Sequence, residues 1–205
     1  MVMKKTSKKE LFAVADMLFE VGVLAKTPRS GFFFLGSGKQ SVAEHLHRVS
    51  CIGFALGHLA GDVDVGRVVQ MCVFHDISES RISDLNYVHQ KYTERFEEKA
   101  HKDITDPLPF GDALQSLVDE YEDRESKESL LAKDADNLEL IISLKEQYDI
   151  GNERAKTWFN AVVSRLKTEE AIMLVDKILK TDSDHWWFAE KDSDWWVNRR
   201  DNDTA

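Results

Sequence analysis

His45, the adjacent pair His75 and Asp76, and Asp136 form an H…HD…D series of side chains able to ligate a metal ion. Imidazole and carboxylate together suit one divalent ion, Mn, Co, Fe, Ni, Mg or Zn, and the absence of thiolate from the set argues against a closed structural zinc knot. An ion held by such side chains keeps positions open, lowers the pKa of water and orients its attack on a phosphate. Taken singly, each residue has an ordinary structural explanation: His45 as an exposed first-turn histidine, Asp136 as a solvated helix charge. Their chemistry depends on convergence. His75 and Asp76 leave a helix about 100° apart, so an ion lying between those directions at a helix end touches both.

Helices must do the positioning. With 3 prolines and 10 glycines in 205 residues, and with apolar residues spaced by three and four, the chain reads as all-α. A first helix over residues 7–23 buries Leu11, Val14, Ala15, Leu18 and Val21. A glycine-containing segment, 26–40, follows. Ser41 and Glu44 then form a capping box, which places His45 in the first turns of the next helix. A third helix starts near Asp62 or Asp64 and carries His75 and Asp76 at its end. Residues 83–90 read as a loop and lead to a polar helix ending near residue 105. Asp106-Pro107-Leu108-Pro109 breaks the chain. Helices over 111–123 and 126–148 come next, the second strongly amphipathic through Leu130, Leu131, Ala135, Leu138, Ile142 and Leu144, with Asp136 midway. A last helical region, 151–180, divides near Lys167, where Thr168 supplies a cap. Beyond it, Asp182-Ser183-Asp184-His185-Trp186-Trp187 is echoed by Asp192-Ser193-Asp194-Trp195-Trp196, a local duplication of a packing element.

A hydrophobic fraction of 42% in this length supports one sizeable core. The net charge of −10 opposes binding to polyanionic polymers but leaves small phosphorylated substrates open. Cys51 and Cys72 lie in apolar helical stretches and no signal peptide is read, so a reduced, cytoplasmic protein is expected. No apolar run approaches the roughly 20 residues that span a bilayer. Gly36-Ser37-Gly38-Lys39 lacks the full spacing and the preceding strand of a phosphate loop. The tail tryptophans sit among acids, which opposes a nucleic-acid stacking platform. His47, His58, His89, His101 and His185 form no partner pattern, so a single metal is expected.

Three segments carry a family resemblance: Ser41-Val42-Ala43-Glu44-His45-Leu46-His47-Arg48, Phe74-His75-Asp76-Ile77-Ser78-Glu79-Ser80, and Ala132-Lys133-Asp134-Ala135-Asp136-Asn137-Leu138-Glu139. In this order they resemble the signatures of the HD-domain phosphohydrolase superfamily, and more narrowly its 5′-deoxynucleotidase branch. The resemblance implies a compact helical HD-domain bundle over residues 1–181, with its core motifs in 41–143 and a Trp-rich acidic tail over 182–205. It implies hydrolysis of deoxyribonucleoside 5′-monophosphates to deoxynucleoside and phosphate. Another small nucleotide, cyclic or triphosphate, or a non-catalytic nucleotide-binding role stands as the alternative. His45, His75, Asp76 and Asp136 fall on the family's metal ligands, with Asp134 competing for the last place. Glu79 matches its acid/base glutamate, beside the catalytic Asp76. Arg29 matches the arginine that holds the substrate phosphate, its planar fork suiting that group. Phe32 or Phe33 stands where the family usually has tryptophan. Asp84 fits a sugar-binding aspartate that glycine usually precedes, and Lys91-Tyr92 fits a following basic-aromatic pair. Similar proteins and the aromatic tail together suggest a homodimer.

Overall fold

The computed structural model describes residues 6–189, all helix and connecting loop apart from one isolated antiparallel bridge between Pro28 and Ser41. In chain order the helices are α1 (Lys8–Val21), α2 (Phe32–Leu35), α3 (Val42–Ala60), α4 (Val65–Phe74), α5 (Glu79–Ile82), α6 (Tyr87–Tyr92), α7 (Glu97–Thr105), α8 (Gly111–Asp123), α9 (Lys127–Asp149), α10 (Glu153–Val163), α11 (Glu169–Lys180) and α12 (His185–Phe188). Their starts follow local chemistry. Ser7 and Ser41 open α1 and α3 with full capping boxes to Glu10 and Glu44, while Asp64, Ser126 and Thr168 cap α4, α9 and α11 through their side-chain oxygens.

The long helix α9 forms the axis of the bundle, packing against α3, α4, α8, α10 and α11. Leu131, Ala132, Ala135, Leu138, Ile141 and Leu144 are completely buried on it. Each buried leucine or isoleucine contributes about 1.5–3 kcal/mol of transfer free energy. The sequence suggests an amphipathic helix with one wet face, but α9 is enclosed on most sides, and Asp134, Asn137, Glu139, Ser143 and Lys145 are buried as well. Buried polar side chains need partners, so these residues are committed to specific bonds.

Close approach of α3 to α4 sets the two histidines against each other. A Cβ on Gly53 would lie 2.5 Å from Cys72 Sγ, and one on Gly57 would lie 3.2 Å from Val65 Cγ2. Two glycines one turn apart therefore let the helices touch. Regular helix stops at Phe74, with His75 as the cap residue, and tightened turns carry the chain to α5 through bonds such as Ile77 N–H to Phe74 O and Glu79 N–H to Asp76 O.

Three expectations are corrected. The inner face of α1 runs through Val14, Met17 and Val21, whereas Leu11 and Leu18 are 58% and 63% exposed. Part of the stretch read as a loop is helix α6, capped by Asn86, whose side chain accepts from the Val88 and His89 N–H groups. The segment 26–40 contains α2 and closes on itself: Arg29 N–H donates to Gln40 O at 2.8 Å and Val42 N–H to Thr27 O at 2.9 Å. The second half of the tail duplication lies outside the described residues.

Candidate metal centre

The three segments do converge. His45 Nε2, from the start of α3, lies 3.2 Å from Asp136 Oδ1 on α9 and 3.7 Å from Asp76 Oδ2, while His75 Nε2 lies 3.3 Å from the same Asp76 oxygen. One ligand atom from each of His45, His75 and Asp76 falls within 4.8 Å of the others. Both Nε2 atoms are buried and make no hydrogen bond among the described residues. Their opposite ring nitrogens are well held. His45 Nδ1 meets Glu139 Oε2 at 2.7 Å, and His75 Nδ1 meets Cys72 O at 3.1 Å. A carboxylate and a carbonyl can only accept, so a neutral ring carries its proton on Nδ1 and turns the lone pair of Nε2 into the centre. This is the support that metal-bound histidines require.

Electrostatics point the same way. Burial and Arg29 work against a proton on His45, yet the Asp136 carboxylate facing Nε2 and the Glu139 bond at Nδ1 push the pKa up to about 9. Positive charge belongs at that nitrogen. Burial would raise Asp76 and Asp136, but the groups around them, His75 and Arg29 for the first and Lys133 and His45 for the second, hold both carboxyls well below the usual range. Orphaned lone pairs facing ionised carboxylates in an imidazole-carboxylate set fit a divalent ion.

Asp134 and Asp136 are separated by about 200° around the helix, and the fold uses them differently. Asp134 is buried away from the histidines, accepting from Lys167 N–H, Thr168 N–H and Thr168 Oγ1 at 2.7–3.1 Å, and so fastens the start of α11 to α9. Asp136 faces the histidines and accepts from Lys133 Nζ at 2.8 Å and Tyr121 Oη at 3.2 Å.

Glu79 is 7% exposed beside this cluster, and its Oε2 is buried without a hydrogen-bond partner among the described residues. Burial, then repulsion from Asp76 and Asp84, raises its carboxyl to about 10 against the pull of Arg29. Arg29 reaches Asp76 Oδ2 at 3.4 Å and Asp84 Oδ2 at 3.9 Å, and that Asp84 oxygen also accepts Ser30 N–H at 2.7 Å. Asp84 thus ties the arginine loop to the segment after α5. The residue before it, Ser83, has φ 62° and ψ 164°, a region that favours glycine.

A cleft of about 380 Å³ opens beside Arg29. Phe32, Phe34, Tyr87 and Trp158 give it aromatic surface, and Asp84, Asn86 and Gln90 give it polar groups. Phe33 and Lys91 are exposed and do not line this cleft. Trp158, Lys133 and Glu139 were not singled out from the sequence as site residues. Lys133 and Glu139 stand one helical turn before and after Asp136, a spacing that could have found them; Trp158 has no comparable signal.

A family model described as HD domain matches residues 21–175. The chain belongs to the HD-domain family. Among HD-domain relatives, a 5′-deoxynucleotidase of Danio rerio is 26% identical over 166 residues, covering 77% of this chain and 82% of the relative. A 5′-deoxynucleotidase of Escherichia coli is 26% identical over 148 residues, covering 64% and 74%. Of solved structures, a conserved hypothetical protein from Pyrococcus furiosus superposes with a TM-score of 0.70 at 27% identity, covering 82% of this chain and 99% of that one.

Proposed function

We propose that this HD domain is a metal-dependent 5′-deoxynucleotidase that hydrolyses deoxyribonucleoside 5′-monophosphates to deoxynucleoside and phosphate. The observation that carries the reading is the pair of buried, unpartnered Nε2 atoms facing Asp76 and Asp136, and the relatives named 5′-deoxynucleotidase support it. His45, His75, Asp76 and Asp136 would hold the ion, and Asp134 is assigned a structural role. When bound, the ion would supply Lewis-acid activation of water and neutralisation of phosphate charge.

The chain's own groups provide the rest. Arg29, fixed by Asp76 and Asp84, grips the phosphate with its donor fork. Glu79, with its carboxyl raised to about 10, holds a proton at neutral pH and delivers it to the 5′ oxygen as the P–O bond breaks. The nucleoside lies in the aromatic cleft, with Phe32, Tyr87 and Trp158 against its apolar faces and Asp84 and Asn86 within its polar lining. Lys91, on the same short helix as Tyr87, lies outside this cleft. Glu139 positions His45, and Gln40 in turn donates to Glu139 at 2.6 Å.

We assign Mn, Co, Fe, Ni, Mg or Zn as the candidate ions. A cytoplasmic homodimer is proposed as the working form. No described helix is long and apolar enough to cross a membrane, and α1 exposes Leu11, Phe12, Leu18 and Phe19 on its outer side, which supports a covered face in the dimer. The test is a phosphate-release screen of deoxy- and ribonucleoside monophosphates with Mn, Co and Mg. Release from deoxynucleotides is the expected result, and no release from any monophosphate with any ion would overturn the reading.

A further inference from the structure

A second cavity, of about 880 Å³, shares Arg29, Lys133 and Arg165 with the aromatic cleft and extends to Arg124 and Lys167. Five cations line it against two carboxylates, Asp134 and Asp136. Both acids are already engaged, Asp134 by the 167–168 backbone and Asp136 by Lys133 and Tyr121. In a chain of net charge −10 this concentration of positive charge is not what composition alone would place there.

The backbone adds a separate observation. Arg124 ends α8 at φ 54° and ψ 36°, a left-handed position where glycine or asparagine is the usual occupant. Its ion pair with Glu122, at 3.7 Å and about half exposed on both sides, contributes little that would favour an arginine there. The fold therefore holds a strained arginine whose side chain lines the cavity. Arg29, Lys133 and an ion suffice for a single phosphate at the centre. Arg124, Arg165 and Lys167 are in excess of that need.

We propose that this groove binds phosphate groups beyond the one at the metal centre, so that nucleoside 5′-di- and triphosphates occupy the site more tightly than monophosphates, with the phosphate chain lying along Lys133, Arg124 and Lys167. Placement of the nucleoside in the aromatic cleft rests on the function proposed above; the groove itself does not.

The test is calorimetric binding to the full chain with Mn in fixed excess, using the 5′-phosphonate analogues of deoxyadenosine triphosphate and monophosphate, in which a methylene replaces the 5′ oxygen and blocks cleavage at that bond. The triphosphate analogue is expected to bind at least about tenfold tighter, as one or two charge-assisted contacts imply. Arg124→Gly, which relieves the left-handed strain while removing the charge, and Lys167→Ala should each erase much of that advantage. Lys177→Ala, on the exposed side of α11, should leave it intact. Equal affinity for the two analogues, or an advantage untouched by Arg124→Gly and Lys167→Ala, would overturn the proposal. Because binding is read without turnover, failure of monophosphate hydrolysis leaves this result interpretable, and failure of the groove leaves the hydrolysis screen standing.

Discussion

The wall of the site and its rim are built on different principles. The wall, from α3, the end of α4 and α9, is buried, and its histidines are oriented by Glu139 and the Cys72 carbonyl. The rim, from the 26–40 and 83–86 segments, is held by a few polar bonds around Arg29 and Asp84 and includes strained backbone at Ser83. The candidate ligands sit on packed helices or in the turn that directly follows one, where geometry is fixed, while the candidate substrate groups sit on loops. The two regions should respond to mutation differently.

The largest effect belongs to the wall. Asp76→Ala or His75→Ala should lower metal affinity by more than the about 10–100-fold expected for a supporting residue, and hydrolysis should fall below detection. Metal titration followed by a phosphate-release assay checks this, and retained metal binding in both variants would break the distinction. Glu79→Gln should lower kcat by about 10²–10⁴ with metal binding retained, as for loss of a general acid. The same variant gives a pH signature. Because the Glu79 carboxyl is raised from 4.5 to about 10 in the fold, folding favours its protonated form, and the stability this group contributes is full at low pH and lost as pH rises through that window. Metal-free Glu79→Gln should thus gain thermal stability over the parent progressively between about pH 5 and 9, and a parallel pair of melting curves across pH would contradict the assignment.

Glu139→Gln should weaken metal binding by about 10–100-fold while the protein stays folded, since it alters only the partner of His45 Nδ1. Asp134→Ala sharpens the contrast from the other side of α9: it should cost about 3 kcal/mol in denaturant unfolding, because buried N–H groups lose a charged acceptor, and leave metal affinity near the parent value. The smallest effect lies at the rim. Ser83→Gly should stabilise the fold by about 1 kcal/mol by removing left-handed strain, the gain being reduced by the extra entropy of glycine in the unfolded chain.

Much of this was legible locally. Ser41 with Glu44, and Thr168, announced their helix starts because caps are made within one turn of chain. The candidate ligand series was legible through the three segments around it, since each residue taken singly has an ordinary structural explanation. Helix α6 was missed because its six residues, Tyr87–Tyr92, are too few for an apolar period and bury nothing. Leu11 and Leu18 were misplaced because apolar spacing marks a stripe on a helix but not which stripe the rest of the molecule covers. Glycine's usual place before the Asp84 position acquired a physical meaning only when Ser83 was found in glycine's region of conformational space.

The sequence by itself determined that helices would form, where most of them begin, and that His45, His75, Asp76 and either Asp134 or Asp136 are the candidates for metal-ligand chemistry, because these depend on residue type and on bonds within a turn. Tertiary structure alone decided the rest. The approach of α3 to α4 at Gly53 and Gly57 brought the histidines together, and the rotation of α9 in its packing turned Asp136 towards them and Asp134 towards α11. Which face of a buried helix looks inward is set by all its neighbours at once, and that information is not local to any segment of the chain.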